Sequence, residues 1–157
     1  MIEADPARPP EEDLATKKEK IERLGEVELF SDLSKKDLDR IVENSKEVTH
    51  TAGQTIVTDG QVGAGFHLIL EGKASVFRGG RTVANLGPGD YFGEMALIDG
   101  GRRTATVRAE TDIVTLFLAQ WGFKPLVRDN AQMAWKLLVH LTKRLRAEQR
   151  DHATHSH

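Results

Sequence analysis

Three residues of this 157-residue chain are spaced to hold a small sugar phosphate: Gly93, Glu94 and Arg103. They belong to the run Phe92-Gly93-Glu94-Met95-Ala96-Leu97, followed after four residues by Arg102-Arg103-Thr104-Ala105-Thr106-Val107. Gly93 permits a backbone turn that a Cβ would resist. Glu94 opens a short helical segment whose first N–H groups, at Met95 and beyond, lack intrahelical partners and sit at the positive end of the helix dipole. Arg103 returns on a strand toward the same point with a forked, permanently charged donor. Glu94 can accept a hydrogen bond from a sugar hydroxyl, and its charge balances that of Arg103. Taken singly, the arginines read as solvated loop residues and Glu94 as an acid favoured at a helix start. Only the joint spacing points to a site.

The surrounding sequence supplies a frame for that run. Residues 1–10 hold three prolines and no apolar period, which predicts a disordered leader. From Glu11 to Val27, Leu14, Ile21 and Leu24 recur at helical spacing. A second helix starts at Ser34 as N-cap, with Asp37 three residues on and Leu33 and Leu38 as a hydrophobic staple. Then the character changes, because twelve of the fourteen glycines fall between Gly53 and Gly101, separating short runs rich in Val, Ile, Thr and Phe. The strands expected are Glu47–Thr51, Thr55–Thr58, Phe66–Leu70, Ala74–Arg78, Thr82–Leu86, Thr104–Ala109 and Ile113–Ala119. Gly79-Gly80 suits a two-residue hairpin and Gly87-Pro88-Gly89-Asp90 a second turn. Helical period returns around Trp121–Val127 and in a long helix from Asn130, with Asp129 and Gln132 as its capping pair. Ala134, Leu138, Leu141 and Leu145 form a stripe on it, read as core packing, with dimerisation the less favoured use. The fold class is mainly β with flanking helices (α+β), a small β-barrel or jelly roll closed by a C-terminal lid helix. Residues 11–149 form its single domain, and 150–157 a polar disordered tail.

The run from Phe92 to Val107 resembles the phosphate-binding cassette of the cyclic nucleotide-binding domain family, F-G-E-[LIM]-A-L, a spacer, then P-R-x-A-[TS]-V. Arg102 stands where that pattern has proline and reads as a surface residue. Gly60 to Ile69 is similar to the family's G-E-x-G-D-x-F-Y-I-I turn, with Ala64 replacing Asp and His67 replacing an aromatic. The resemblance covers residues 25 to 149. It implies ligand contacts at Gly93, Glu94, Met95, Ala96, Arg103, Thr104 and Ala105, with Val76, Val83 and Leu86 lining base and ribose. Leu145, Glu148 and Gln149, on the last helix, are the implied base cap. Thr104 carries a hydroxyl that can reach a guanine amino group, yet bacterial relatives with a hydroxyl there use cyclic AMP, so cyclic AMP is favoured over cyclic GMP.

Composition narrows the remaining classes. With no cysteine, disulfides, thiol catalysis and Cys-ligated zinc are excluded. A net charge of −2 offers no global attraction for nucleic acid or an acidic membrane. The apolar stretch Ile113–Ala119 is too short to span a bilayer, and no signal peptide is visible, so a cytoplasmic protein without membrane association is expected. A cupin-like metal enzyme would need converging histidines, but His50, His67 and His140 are isolated, and His67 reads as a satisfied structural histidine. His152, His155 and His157 fall in the polar tail, and no metal or cofactor is expected beyond the nucleotide ligand. No Walker loop or nucleophile elbow is present. Many bacterial relatives carry a helix-turn-helix after the long helix. This sequence ends about there, which makes the ligand-binding part of such a transcriptional regulator, lacking its DNA-binding domain, the alternative. The favoured reading is a stand-alone, non-enzymatic cyclic nucleotide sensor without direct DNA binding. In it the ligand repositions the C-terminal helix to control an unknown downstream protein, with homodimerisation through that helix as the alternative use.

Overall fold

The computed structural model describes residues 15–62 and 65–155, the last five as helix backbone. The expected leader, Leu14, Ala64 and His157 lie outside the described residues. Helix α1 (Lys17–Gly25) begins at Thr16, whose hydroxyl accepts the Glu19 N–H at 3.1 Å. A single 3-10 turn, Glu28–Phe30, leads to α2 (Lys35–Glu43). Its N-cap is Ser34 as expected, bonded to the Asp37 N–H at 3.1 Å, and both staple residues, Leu33 and Leu38, are buried.

Eight strands follow: β1 (Lys46–His50), β2 (Thr55–Val57), β3 (Gly65–Glu71), β4 (Ala74–Arg78), β5 (Arg81–Leu86), β6 (Tyr91–Phe92), β7 (Thr106–Ala109) and β8 (Ile113–Ala119). They pair antiparallel in two four-stranded sheets, ordered β1-β8-β3-β6 and β2-β7-β4-β5. This is the jelly roll expected, but the sheets do not close on each other, so the barrel becomes an open sandwich. Glycine sets the hairpin: φ is 60° at Gly79 and 78° at Gly80, the left-handed values that match strand twist across a two-residue connection. Two-residue β6 is the strand that composition did not announce, since Tyr91 and Phe92 pair only with Leu68 and His67.

Helices α3 (Glu94–Asp99), α4 (Gln120–Arg128) and α5 (Ala131–His155) complete the chain. The main core lies where β3 and β8 meet the helices: Phe30, Phe66, Leu116, Leu118, Phe123 and Met133 are all at most 4% exposed. A smaller cluster around Ile69, Val107 and Ile113 packs between the sheets. Two features of α5 differ from expectation. Its cap is Asn130, which accepts the Met133 N–H at 3.1 Å, in place of the Asp129–Gln132 pair. Its packed face is Met133, Leu137 and Leu141, because α5 lies on the 3-10 turn and on α4 rather than across the strands. Of the expected stripe, Leu141 packs inward and Ala134 is half-buried, whereas Leu138 at 57% and Leu145 at 55% exposure turn outward, next to an exposed Trp135. The helix also continues past Gln149 to His155, since no glycine or proline interrupts it there.

Polar pins tie the helices to the sandwich. Lys20 reaches Glu47 of β1 at 3.2 Å with both side chains almost fully buried. Asn130 also donates to the Asp37 carboxylate at 2.9 Å, which fixes the start of α5 on α2.

Candidate functional site

Gly93 is where backbone geometry and the site coincide. Its φ of 90° is left-handed, and a Cβ there would collide with Arg103 Nη1 and the Gly65 carbonyl. Only glycine lets the chain turn into α3 against that arginine. No side chain caps α3, and Glu94 is its first residue.

Arg103 arrives on a connection fastened to the Gly60–Gln61 turn. Its N–H donates to the Gln61 carbonyl at 2.8 Å, and its own carbonyl accepts the Gly60 N–H at 2.9 Å. The guanidinium is half-buried, and its Nε is buried without a hydrogen-bond partner among the described residues. Burial lowers its pKa below the ordinary arginine range, and the Glu94 charge acts in the opposite direction. The two charges therefore sense each other although no ion pair joins them among the described residues. An anion between α3 and Arg103 would meet a charge, open N–H groups and an acceptor together.

These residues line one cleft of about 380 Å³. Of the ligand residues expected from the sequence, Gly93, Glu94, Met95, Ala96, Arg103, Thr104, Ala105 and Val76 all line it. Val83 and Leu86 do not line it: Val83 is half exposed on β5, and Leu86 packs on the inter-sheet cluster. Leu145, Glu148 and Gln149 are exposed on α5 and do not line it either, because α5 packs elsewhere. Arg102 is exposed and donates to the Gly60 carbonyl at 2.8 Å, a structural tether at the rim.

Arg78 also lines the cleft, beyond the residues expected from the sequence. Its Nε donates to the Thr104 carbonyl at 3.2 Å, steadying the loop just beyond Arg103. Strand period would have revealed it, since Arg78 stands two residues after Val76 and faces the same way.

His67 behaves as the structural histidine expected. Its Nδ1 lies 3.0 Å from the Thr115 hydroxyl, and its ring stacks on Phe92 at 4.8 Å. Burial, then the charge of Arg103, hold its pKa down at about 3, so it is neutral at physiological pH. No group of three or more His, Asp or Glu is arranged to hold a metal among the described residues. No described helix is long and apolar enough to cross a membrane.

Comparison with known proteins gives the same cleft a relationship. Residues 47–130 match the family model described as "Cyclic nucleotide-binding domain". A cAMP-dependent protein kinase regulatory subunit from Aspergillus niger is 37% identical over 106 residues, covering 66% of this chain and 26% of the subunit. A cyclic AMP receptor protein from Thermus thermophilus is 35% identical over 123 residues, covering 75% of this chain and 57% of the receptor. The chain thus spans a quarter to just over half of these relatives. Among solved structures, the N-terminal domain of a transcriptional regulator from Streptomyces coelicolor superposes with a TM-score of 0.76 at 29% identity, over 80% of this chain and 94% of that one. The matched segment contains both sheets, Gly93, Glu94 and Arg103, and the chain belongs to the cyclic nucleotide-binding domain family.

Proposed function

We propose that the cleft binds a cyclic nucleotide as a regulatory signal, and that the chain itself performs no catalysis. The phosphate sits between Arg103 and the N–H groups that open α3, and the ribose 2'-hydroxyl donates to Glu94. Val76 supports the sugar and base, while the Thr104 hydroxyl faces the base. Cyclic AMP is favoured over cyclic GMP, in keeping with the kinase regulatory subunit and cyclic AMP receptor among the relatives. The single observation that carries this reading is the buried, unpartnered Arg103 Nε beside Glu94. Such an atom costs about 1–3 kcal/mol unless something satisfies it.

Output runs through α5. Tyr91, next to the cassette, is linked to the backbone at Glu28 and feels the charge of Arg144 on α5, so the cleft, the 3-10 turn and α5 are neighbours. A ligand that binds one position of α5 more tightly than another shifts the population toward it. The exposed Trp135, Leu138 and Leu145 offer α5 an apolar face for a protein partner or a second copy, and the second copy fits a transcriptional-regulator context.

Arg103→Ala should weaken cyclic AMP binding by roughly 2–5 kcal/mol, the range for truncating one side of a buried charged pair. Arg102→Ala should change it far less, since that side chain tethers a turn. Equal losses in calorimetry, or retained binding in Arg103→Ala, would overturn the assignment.

A further inference from the structure

Arg103 borders two spaces. Besides the cassette cleft it lines a separate cavity of about 400 Å³ that opens between the sheets near β1 and β2. Lys46, Val48 and His50 alternate along β1 and so face one way. Pairing continues the row across the sheet, Lys46 opposite Phe117 and Phe117 opposite His67.

Inward faces of a sandwich are ordinarily apolar. Here the lining includes the nitrogen-bearing side chains of Lys46, His50, His67 and Arg103, together with Thr58, Gln61 and the apolar Val48, Ile56, Val57 and Phe117. No carboxylate lines it. Structural duties account for part of this set: His67 is held by Thr115, and Arg103 faces the cassette. They do not account for His50, whose Nδ1 is buried without a hydrogen-bond partner among the described residues. An apolar cavity of this size with a few convergent polar groups has the make-up of a small-molecule site.

We propose that the inter-sheet cavity is a second ligand site, for a small carboxylate with an apolar tail, and that its occupant competes with the cassette ligand for Arg103. The carboxylate meets Arg103 and His50, and the tail lies against Val48, Ile56 and Phe117, with Lys46 adding positive potential from the far end of β1. Because one guanidinium serves both spaces, an anion drawn to one side weakens the other. The weakening is reciprocal, as any coupling between binding sites must be. The coupling rests on cyclic nucleotide binding in the cassette, whereas the second site stands by itself.

Direct binding is read first, on the full chain without nucleotide, by NMR titration with isobutyrate and benzoate. Chloride and the matching neutral alcohols serve as controls. The expected result is saturable shifts centred on residues lining the cavity, produced by the carboxylates alone. Val48→Trp, which fills the cavity, and His50→Phe, which removes its unpartnered nitrogen while keeping a ring, should each abolish or strongly weaken those shifts. Absence of saturation, equal shifts with the alcohols, or shifts unchanged in both variants overturns the site. The second reading is the apparent Kd for cyclic AMP, expected to rise several-fold at saturating benzoate in the wild type and not in His50→Phe. Cavity shifts accompanied by an unaltered Kd overturn the competition. A chain that binds no cyclic nucleotide at all defeats the cassette assignment while leaving the NMR result fully readable.

Discussion

At the N-terminus of α2 the Ser34 hydroxyl takes the Asp37 N–H at 3.1 Å, whereas at α3 Gly93 stands in the same position and brings no side chain. The contrast extends beyond the caps. Around α2 the polar groups find each other: Asp37 with Asn130, and Lys20 with Glu47. Around α3 the Arg103 Nε has no partner among the described residues, and a left-handed glycine holds the chain tight against the guanidinium. One region uses its polar groups for stability, and on the proposed function the other keeps them for a ligand.

Substitutions on the two sides should therefore separate stability from binding. The largest effect is expected at Arg103. Arg103→Met should abolish measurable cyclic nucleotide binding while leaving the urea midpoint of the ligand-free protein unchanged or higher, because it removes an unsatisfied buried donor. A clear drop in that midpoint would mean that Arg103 belongs to the structural group. Gly93→Ala should damage both properties. Its positive φ and the collision with Arg103 and Gly65 predict about 1–3 kcal/mol of destabilisation together with weakened binding.

Asn130→Ala tests the helical region. Losing the Met133 cap and the Asp37 bond should cost about 1–2 kcal/mol of stability, read from denaturant unfolding. Intrinsic nucleotide affinity should be nearly unchanged, since Asn130 does not line the cleft.

A pH dependence, small on mild acidification, is the last effect. His67 has a folded pKa of about 3 against an ordinary 6.5, so the unfolded chain binds the proton first as pH falls. Stability is then fully present above pH 6.5 and declines progressively as pH drops from there toward 3. Burial lowers the pKa of His50 as well, which adds a contribution of the same sign. His67→Phe should flatten, without abolishing, the fall in unfolding midpoint on mild acidification.

Local chemistry decided how much of this was legible. Ser34 and the Gly79-Gly80 hairpin act through neighbours within a few residues, and each lies where the sequence places it. Gly93, Glu94 and Arg103 line one cleft because their spacing is bridged by a short helix and a return connection. What depends on distant packing was not legible. The rotation of α5 follows from its seat on α4 and the 3-10 turn, which put Leu138 and Leu145 outward. The same seat leaves Leu145, Glu148 and Gln149 off the cleft. Likewise, β6 exists only because β3 offers an edge to Tyr91 and Phe92. Arg78 sat within a correctly expected strand, and strand alternation was the unused signal.

Calorimetric titration of the wild-type protein with cyclic AMP, 2'-deoxy cyclic AMP and 5'-AMP tests the central claim most directly. The account predicts tight saturable binding of cyclic AMP, marked weakening when the 2'-hydroxyl that Glu94 should accept is absent, and weaker binding still of the open-chain phosphate. Equal affinity for all three ligands, or no heat of binding from cyclic AMP, would contradict it.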